Sequence, residues 1–265
     1  FSKHYGNFTS ILINGKEQLS EPMKFSAWRA PTDNERNVKA RWGNYDIWQG
    51  ENIDVQFSKV YNCTVADGCI RIDASLAGVS RKPFMNYAMQ VKVNCDGVIT
   101  VRLYGNVREK VVYLPRFGFE FALPKKNMHF RYYGCGPMES YCDLRHGSTV
   151  GMYESTAEAE YVPYVRPQEH GNHVDVRMLE IGKLRFESDD AFCCNVSAFS
   201  TEAVEQAEHT DELHSDDKTH LRIDYKVSGI GSASCGPELM EKYRVSERNI
   251  TFGFTMSPSG KNKLR

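Results

Sequence analysis

The stretch that decides the fold reads Tyr87-Ala-Met-Gln-Val-Lys-Val-Asn-Cys-Asp-Gly-Val-Ile-Thr-Val-Arg-Leu103. On each side of Asp96-Gly97, apolar residues recur at every second position, which is the period of a strand with one buried face. An Asp-Gly pair between two such runs is among the strongest short-range hairpin signals. The stretch therefore predicts an antiparallel hairpin with one apolar and one more polar face.

The same pattern recurs along most of the chain. Asn14-Gly15 and Asp67-Gly68 follow or separate further alternating runs, and alternation returns in residues 117–121, 221–227 and 250–256. Each run implies one buried face and one more polar face. Many antiparallel strands in one long domain predict an all-β protein built as a large two-sheet sandwich.

Helical patterns are few and scattered. They predict short helices over residues 33–42, 138–145, 202–213 and 237–243, the first capped by Asp33. A (β/α)₈ barrel requires a strand–helix repeat along the whole chain, and this sequence has none. The sequence therefore excludes a catalytic barrel within this chain.

Size and charge narrow the class of protein. The chain has 265 residues, with 33 Lys and Arg against 34 Asp and Glu, so its formal net charge is −1. This balance lacks the basic footprint of a protein that binds nucleic acid or an anionic membrane. No apolar run reaches membrane-spanning length and no signal peptide is present, so we expect a cytoplasmic protein. No linker divides the chain, which predicts a single domain over residues 1–256 and a C-terminal tail over residues 257–265.

The residue types that bind metals do not form a recognisable site. The eight cysteines include no Cys-x-x-Cys pair, and most lie within apolar, strand-like runs. Buried free thiols explain them better than a disulfide framework. His170 and His173 are three residues apart, and that spacing in a loop or strand does not place two imidazoles on one metal. We predict no metal site in this chain.

Residues 132–172 concentrate polar, aromatic, glycine and proline residues without a regular period, as binding loops on a rigid scaffold do. Glu169 and His170 are adjacent there and could perform acid–base chemistry on a sugar hydroxyl, although an ordinary loop histidine is the plainer interpretation. A retaining glycosidase needs two carboxyl groups about 5–5.5 Å apart, and no spacing here pairs Glu139, Asp143 or Glu169 in that way.

Four segments of the chain are familiar as a set. They are Trp28-Arg-Ala-Pro-Thr-Asp-Asn34, Gly134-Cys-Gly-Pro-Met-Glu-Ser-Tyr-Cys-Asp143, Tyr161-Val-Pro-Tyr-Val-Arg-Pro-Gln-Glu-His-Gly-Asn172 and Gly229-Ile-Gly-Ser-Ala-Ser-Cys-Gly-Pro237. In this order they resemble the C-terminal small-chain domain of the large β-galactosidases of glycoside hydrolase family 2. The resemblance extends over residues 7–256.

The resemblance implies an antiparallel β-supersandwich, similar to galactose mutarotases, with a few short helices. It also implies that the chain is a non-catalytic domain or small subunit of a retaining enzyme that hydrolyses terminal β-D-galactosides. Its partner would be a catalytic (β/α)₈ barrel domain or large subunit, which holds both catalytic glutamates, so the isolated chain should be inactive. The parent would be a homo-oligomer, with Mg²⁺ and Na⁺, where used, bound outside this chain.

The resemblance also assigns positions. It places the 229–237 loop at the mouth of the barrel's active site, where the best-known member contributes a tryptophan and this chain has Cys235. Cys235 and the neighbouring Ser234 are therefore candidate contacts to a β-galactoside at the interface. The 28–34 segment would lie against the rest of the enzyme, which makes Arg29, Asp33 and Asn34 candidate interface residues.

Two other functions remain open at this stage. The chain could be a stand-alone carbohydrate-binding or epimerase-like supersandwich, with Glu169 and His170 as its acid–base residues. It could also be a purely structural assembly module.

Overall fold

Antiparallel strand pairing dominates the computed structural model, which describes residues 1–44, 50–125, 128–232 and 234–260. The strands of these ranges are β1 Leu12–Ile13, β2 Lys16–Glu17, β3 Lys24–Ser26, β4 Gln56–Ala66, β5 Cys69–Gly78, β6 Met85–Val93, β7 Ile99–Val107, β8 Arg116–Pro124, β9 His129–Gly136, β10 Thr149–Thr156, β11 Asn172–Ile181, β12 Leu184–Ser197, β13 Lys218–Val227 and β14 Asn249–Pro258. The all-β prediction is confirmed.

The predicted hairpins form where the sequence places them. β6 pairs with β7 from Met85↔Val107 to Val93↔Ile99, and Gly97 takes a positive φ of 79° in the turn between them. Asp67 and Gly68 both have positive φ in the two-residue turn from β4 to β5. A short polar residue and a glycine accept that conformation at low cost, which is why such pairs mark hairpins.

A single strand, β12, joins the two layers of the fold. β11 runs along one side of β12, while the other side pairs with β14 at residues 184–187 and with β13 at residues 193–197. From this fork one branch continues as β14-β7-β6-β5-β4 and the other as β13-β8-β3. The sheet therefore divides into two branches along β12, and the two branches curl towards each other into a sandwich.

Aromatic side chains fill the space between the two branches. Phe119 of β8 lies 6.1 Å from Phe252 and 5.7 Å from Phe254 of β14, and Phe25 of β3 lies 5.0 Å from Tyr87 of β6, measured between ring centroids. These residues belong to one continuous apolar core or pack against it. Burial of such large rings is the main favourable term in holding the layers together.

The more polar faces of β8 and β13 are themselves covered. His220, Arg222 and Asp224 alternate along β13 and are all buried, and Arg116 of β8 is completely buried. Residues from outside these strands cover this face: Arg116 donates to Glu169 at 3.2 Å, and Arg222 donates to the Thr201 hydroxyl at 2.7 Å. It becomes the base of the site described below.

The helices are shorter than predicted. The 33–42 prediction resolves into a 3₁₀-helix, Asp33–Glu35, and α1, Lys39–Trp42, and the 202–213 prediction into α2, Thr201–Gln206, and a 3₁₀-helix, Thr210–Glu212. Other 3₁₀ turns span Ile53–Val55 and Glu241–Tyr243. Ser200, whose hydroxyl accepts from Ala203 N at 3.1 Å, caps α2.

The predicted helix over residues 138–145 is wrong. Ser140 N donates to Asn172 O at 2.6 Å, and Tyr141 N donates to Leu144 O at 2.9 Å, so these amides serve a tertiary contact and a tight turn. In a helix over these residues the Tyr141 amide would instead donate to the carbonyl of Pro137, four residues earlier.

The chain end also differs from the prediction. β14 continues through Ser257 and Pro258, and Ser259 N donates to Lys183 O at 2.8 Å, so the expected tail overlaps the last strand. Residues 261–265 of that tail lie outside the described ranges.

Candidate functional site

The four segments singled out in the sequence, residues 28–34, 134–143, 161–172 and 229–237, meet at one place. Together with Glu35 and Arg36, which directly follow the first segment, we call them the four-segment cluster. Asn34 Nδ2 donates to Ile230 O at 2.6 Å, and Asp33 N donates to Gln168 Oε1 at 3.0 Å. Asp143 accepts from the amides of Ile230 and Gly231 at 3.1 and 2.8 Å. Hydrogen bonds therefore link segments that are far apart in the sequence.

Arg29 is the buried centre of this cluster. Its guanidinium pairs with the Glu35 carboxylate and donates to the carbonyls of Ser228, at 2.6 Å, and Gly229, at 3.0 Å. Burial disfavours the charged form, but the neighbouring Glu35 outweighs it and the pKa of Arg29 is raised. This side chain was expected at the contact with the rest of the enzyme, but it is fully buried within its own chain, where it supports the surface from below.

Asp33 and Asn34 lie closer to the surface than Arg29 does. Asp33 is exposed at the edge of an open cavity of about 540 Å³, while Asn34 is half-buried against the 229–237 loop. The polar lining of this cavity comes from three of the four segments and their neighbours: Pro31, Thr32, Asp33, Arg36, Lys39, Arg166, Pro167, Gln168, Glu205 and Ser234. Such a concave, charged surface is suited to contact with another polar surface.

The 229–237 loop forms one wall of the cluster. Arg36 donates from Nε and Nη2 to Ser234 O at 3.1 and 2.7 Å, and the Cys235 thiol is exposed beyond it. Ala233 lies outside the described residues. The structure thus places Ser234 in the lining of the same cavity as Asp33 and leaves the adjacent Cys235 exposed. The sequence did not single out Arg36 or Arg166, although both lie within or next to the quoted segments.

Glu169, in the 161–172 segment of the cluster, is buried. Arg116 Nη1 donates to both Glu169 carboxylate oxygens, at 3.2 and 3.1 Å, and its Nη2 donates to Asp224 Oδ2 at 2.5 Å. Burial disfavours the charge on Arg116, yet Asp224 and Glu169 outweigh it and raise its pKa. Burial also raises the pKa of Asp224 in spite of the arginine. One buried cation therefore serves two buried carboxyl groups.

His170 is enclosed next to Glu169. Its Nδ1–H donates to Gln168 O at 2.8 Å, and its backbone carbonyl accepts from Asn195 Nδ2 at 2.5 Å. Its ring lies edge-to-face with the ring of Tyr161, with the ring centroids 5.1 Å apart. The cavity beside the two residues measures about 10 Å³. That volume corresponds to about one water molecule and cannot hold a sugar ring.

The residue types that bind metals are not clustered in the described part of the chain. Within residues 1–44, 50–125, 128–232 and 234–260, His, Cys, Asp and Glu form no group of three or more placed to hold a metal ion. Each of the eight cysteines, all of which the structure describes, is a free thiol. Burial raises the pKa of Cys193 to about 12, which suits an inert core thiol.

The short helices have no membrane-spanning character. Across the described part of the chain, no helix combines the length and the apolar composition that a membrane span requires.

Comparison with known proteins gives a consistent picture. A family model described as beta galactosidase small chain matches residues 1–256. The chain is 33% identical to a β-galactosidase from Actinobacillus pleuropneumoniae and 32% identical to one from Staphylococcus xylosus, over 96% and 97% of its own length. It spans about a quarter of the length of these relatives, 25% and 26%.

A solved structure matches the same fold. An Escherichia coli K12 protein provisionally named an aldose 1-epimerase superposes with a TM-score of 0.53 and 9% sequence identity, covering 97% of this chain and 94% of that one. At this identity the match concerns the fold alone. It confirms the galactose-mutarotase-like supersandwich that the sequence resemblance implied.

Proposed function

The chain belongs to the β-galactosidase small-chain family, and from this premise we propose that it is the non-catalytic part of an enzyme that hydrolyses terminal β-D-galactosides. Its partner would be a catalytic barrel, either in the same polypeptide or as a large subunit of a homo-oligomeric enzyme. Retaining chemistry would take place on that barrel, and any Mg²⁺ or Na⁺ would bind there. Ser234 and Cys235 would border the galactoside at the junction.

The four-segment cluster is the observation that carries this proposal. Asp33, Arg36 and Arg166 present charges of both signs around one concavity, while Arg29 and Glu35 fix the backbone beneath them. The relatives are about four times as long as this chain, so about three quarters of their length lies outside the matched part and would need a surface on which to dock. A polar, concave surface that buried hydrogen bonds hold from beneath supports docking of that kind.

Two buried carboxyl groups, Glu169 of the cluster and Asp224 of β13, support a non-catalytic role. Retaining glycosidases need one ionised and one protonated carboxyl facing an open site. Here Glu169 and Asp224 share the buried Arg116. The epimerase-like alternative would need Glu169 and His170 to face a sugar, and the cavity of about 10 Å³ beside them gives it no support.

A reconstitution experiment tests the proposal. The chain and the remaining part of the full protein are produced separately and assayed, alone and mixed, with a chromogenic β-galactoside. We expect no turnover by this chain alone and activity on mixing. Turnover by the chain alone at the rate of the mixture would overturn the non-catalytic assignment.

A charge reversal tests the docking surface. Arg166→Glu, on the exposed rim of the cluster, should raise the concentration of this chain needed for half-maximal activity about tenfold, since like charges brought together at an interface are costly. Arg71→Glu is the matched control, because Arg71 is an exposed arginine on β5, outside the cluster. Equal effects of the two variants would argue against docking through the cluster.

A further inference from the structure

The carboxylate of Asp143 is bound by two consecutive backbone amides. Oδ1 accepts from Ile230 N at 3.1 Å, and Oδ2 accepts from Gly231 N at 2.8 Å. Hydrogen bonds to an ionised acceptor are about twice as strong as neutral ones. The start of the 229–237 loop is therefore fixed by a side chain more than eighty residues earlier in the sequence.

The two glycines allow the loop to close around this carboxylate. A Cβ on Gly229 would lie 2.4 Å from the Asp143 carboxyl carbon, and a Cβ on Gly231 would lie 3.1 Å from Oδ2. Neither glycine is among those with positive φ. Space beside Asp143, rather than backbone conformation, thus explains glycine at both positions.

The carbonyl side of the same backbone is also occupied. Arg29 binds the carbonyls of Ser228 and Gly229, and Asn34 binds the carbonyl of Ile230. Asp143 and these two residues hold residues 228–231 from opposite sides. Farther along the loop, exposed Arg36 donates hydrogen bonds to Ser234 O.

We propose that Asp143 is a positioning residue, which sets the 229–237 loop so that Ser234 and Cys235 are presented at the leaving-group side of the bound galactoside. The effect on substrate rests on the proposed function, while the effect on the loop rests on the geometry alone. Arg29 and Asn34 orient the carbonyls, and Asp143 orients the amides. Removing the carboxylate releases the donor side of the loop and leaves the sheet beneath it intact.

The test uses the full protein that contains this chain, with Asp143→Ala, Asp143→Asn and the control Asp190→Ala at an exposed aspartate. Hydrogen exchange is followed at Ile230 and Gly231 and, as a reference, along β13. Asp143→Ala should speed exchange of both loop amides about tenfold, because a hydrogen bond to a charged acceptor is worth about that factor. β13 and the control variant should keep wild-type rates.

Kinetics provide the second measurement. In Asp143→Ala, KM for lactose should rise roughly threefold to tenfold with kcat changed less than about twofold, because a displaced loop weakens binding on the leaving-group side. KM for a small aryl galactoside should change less. A general loss of structure would instead lower activity toward both substrates equally.

The outcomes separate the two proposals. Unchanged exchange at Ile230 and Gly231 overturns the positioning role, whatever the activity. Faster exchange without a difference between lactose and the aryl galactoside supports positioning but overturns the placement of the loop beside the substrate. If Asp143→Ala also speeds hydrogen exchange along β13, the Asp143→Asn variant decides. Asparagine keeps the size of the side chain and one acceptor oxygen, so one of the two loop amides should stay protected from exchange. Loss of protection at both amides, or at neither, overturns the inference.

Discussion

Glu169–His170 and Ser234–Cys235 were both singled out in irregular segments rich in glycine, proline and polar residues, yet the structure gives them opposite environments. Glu169 and His170 are buried, and they form hydrogen bonds with Arg116, Gln168 and Asn195. Cys235 is exposed, and the Ser234 backbone is held by an exposed arginine. The first pair supports the surface, and the second forms part of it.

This difference shows that a polar loop in a sequence does not by itself reveal whether its residues are buried beneath a surface or exposed on it. A buried charge needs a partner, and here the partner Arg116 lies on β8, 53 positions away in the sequence. An exposed thiol needs none. Changes to the buried region should therefore alter stability, and changes to the exposed loop should alter function with little effect on stability.

The largest effect is expected when the shared cation is removed. Arg116→Met should lower the free energy of unfolding by about 3–5 kcal/mol, because two buried carboxyl groups lose their partner. Urea unfolding at neutral pH measures it. The control is Arg131→Met, since Arg131 is 44% exposed in its pair with Glu180 and such a pair contributes about 0–1 kcal/mol. Similar losses in both variants would contradict the distinction between the two regions.

The second largest effect is expected when the pH is lowered, which should reduce the free energy of unfolding through the buried region. Arg222 links Glu120 to Asn195. Burial of Glu120 opposes its charge, but Arg222 and His220 outweigh it and hold its pKa at about 2, below the ordinary 4.5. A depressed carboxyl pKa stabilises the fold above pH 4.5, and this contribution, about 3 kcal/mol, is lost as the pH falls from 4.5 to 2.

Glu120→Gln should remove that pH dependence. Urea midpoints at pH 5 and pH 2.5 should differ less for this variant than for the wild-type chain, whereas Glu154→Gln, at an exposed glutamate on β10, should keep the wild-type difference. A Glu120→Gln profile equal to wild type would mean that Glu120 does not carry the acid sensitivity.

The smallest effects are expected at Cys235. Cys235→Ala should change stability by less than about 0.5 kcal/mol, as at most exposed positions. Cys235→Trp should lower KM for lactose about fivefold and affect a small aryl galactoside less, because an aromatic face adds stacking of roughly 1 kcal/mol. Melting temperature and KM are measured together in the full protein. A marked fall in melting temperature for Cys235→Ala would show a packed thiol and defeat the surface interpretation.

Much of the fold was accessible from the sequence because its signals are local. Alternation and the glycine-containing turns predicted β4 to β7, and the runs at 117–121, 221–227 and 250–256 became β8, β13 and β14. Pleating dictates the period of two whatever the strand packs against. Four ordered segments were likewise enough to identify the family.

Long-range pairing decided the rest. The sequence indicated a helix at residues 138–145, where tertiary hydrogen bonds from Ser140 to Asn172 and from the 229–237 loop to Asp143 instead occupy the polar groups. The sequence also assigned Arg29 to an interface, and the structure buries it. Alternation shows which side of a strand is polar but not what covers it, so whether a charge lies inside or outside depends on segments up to two hundred residues away.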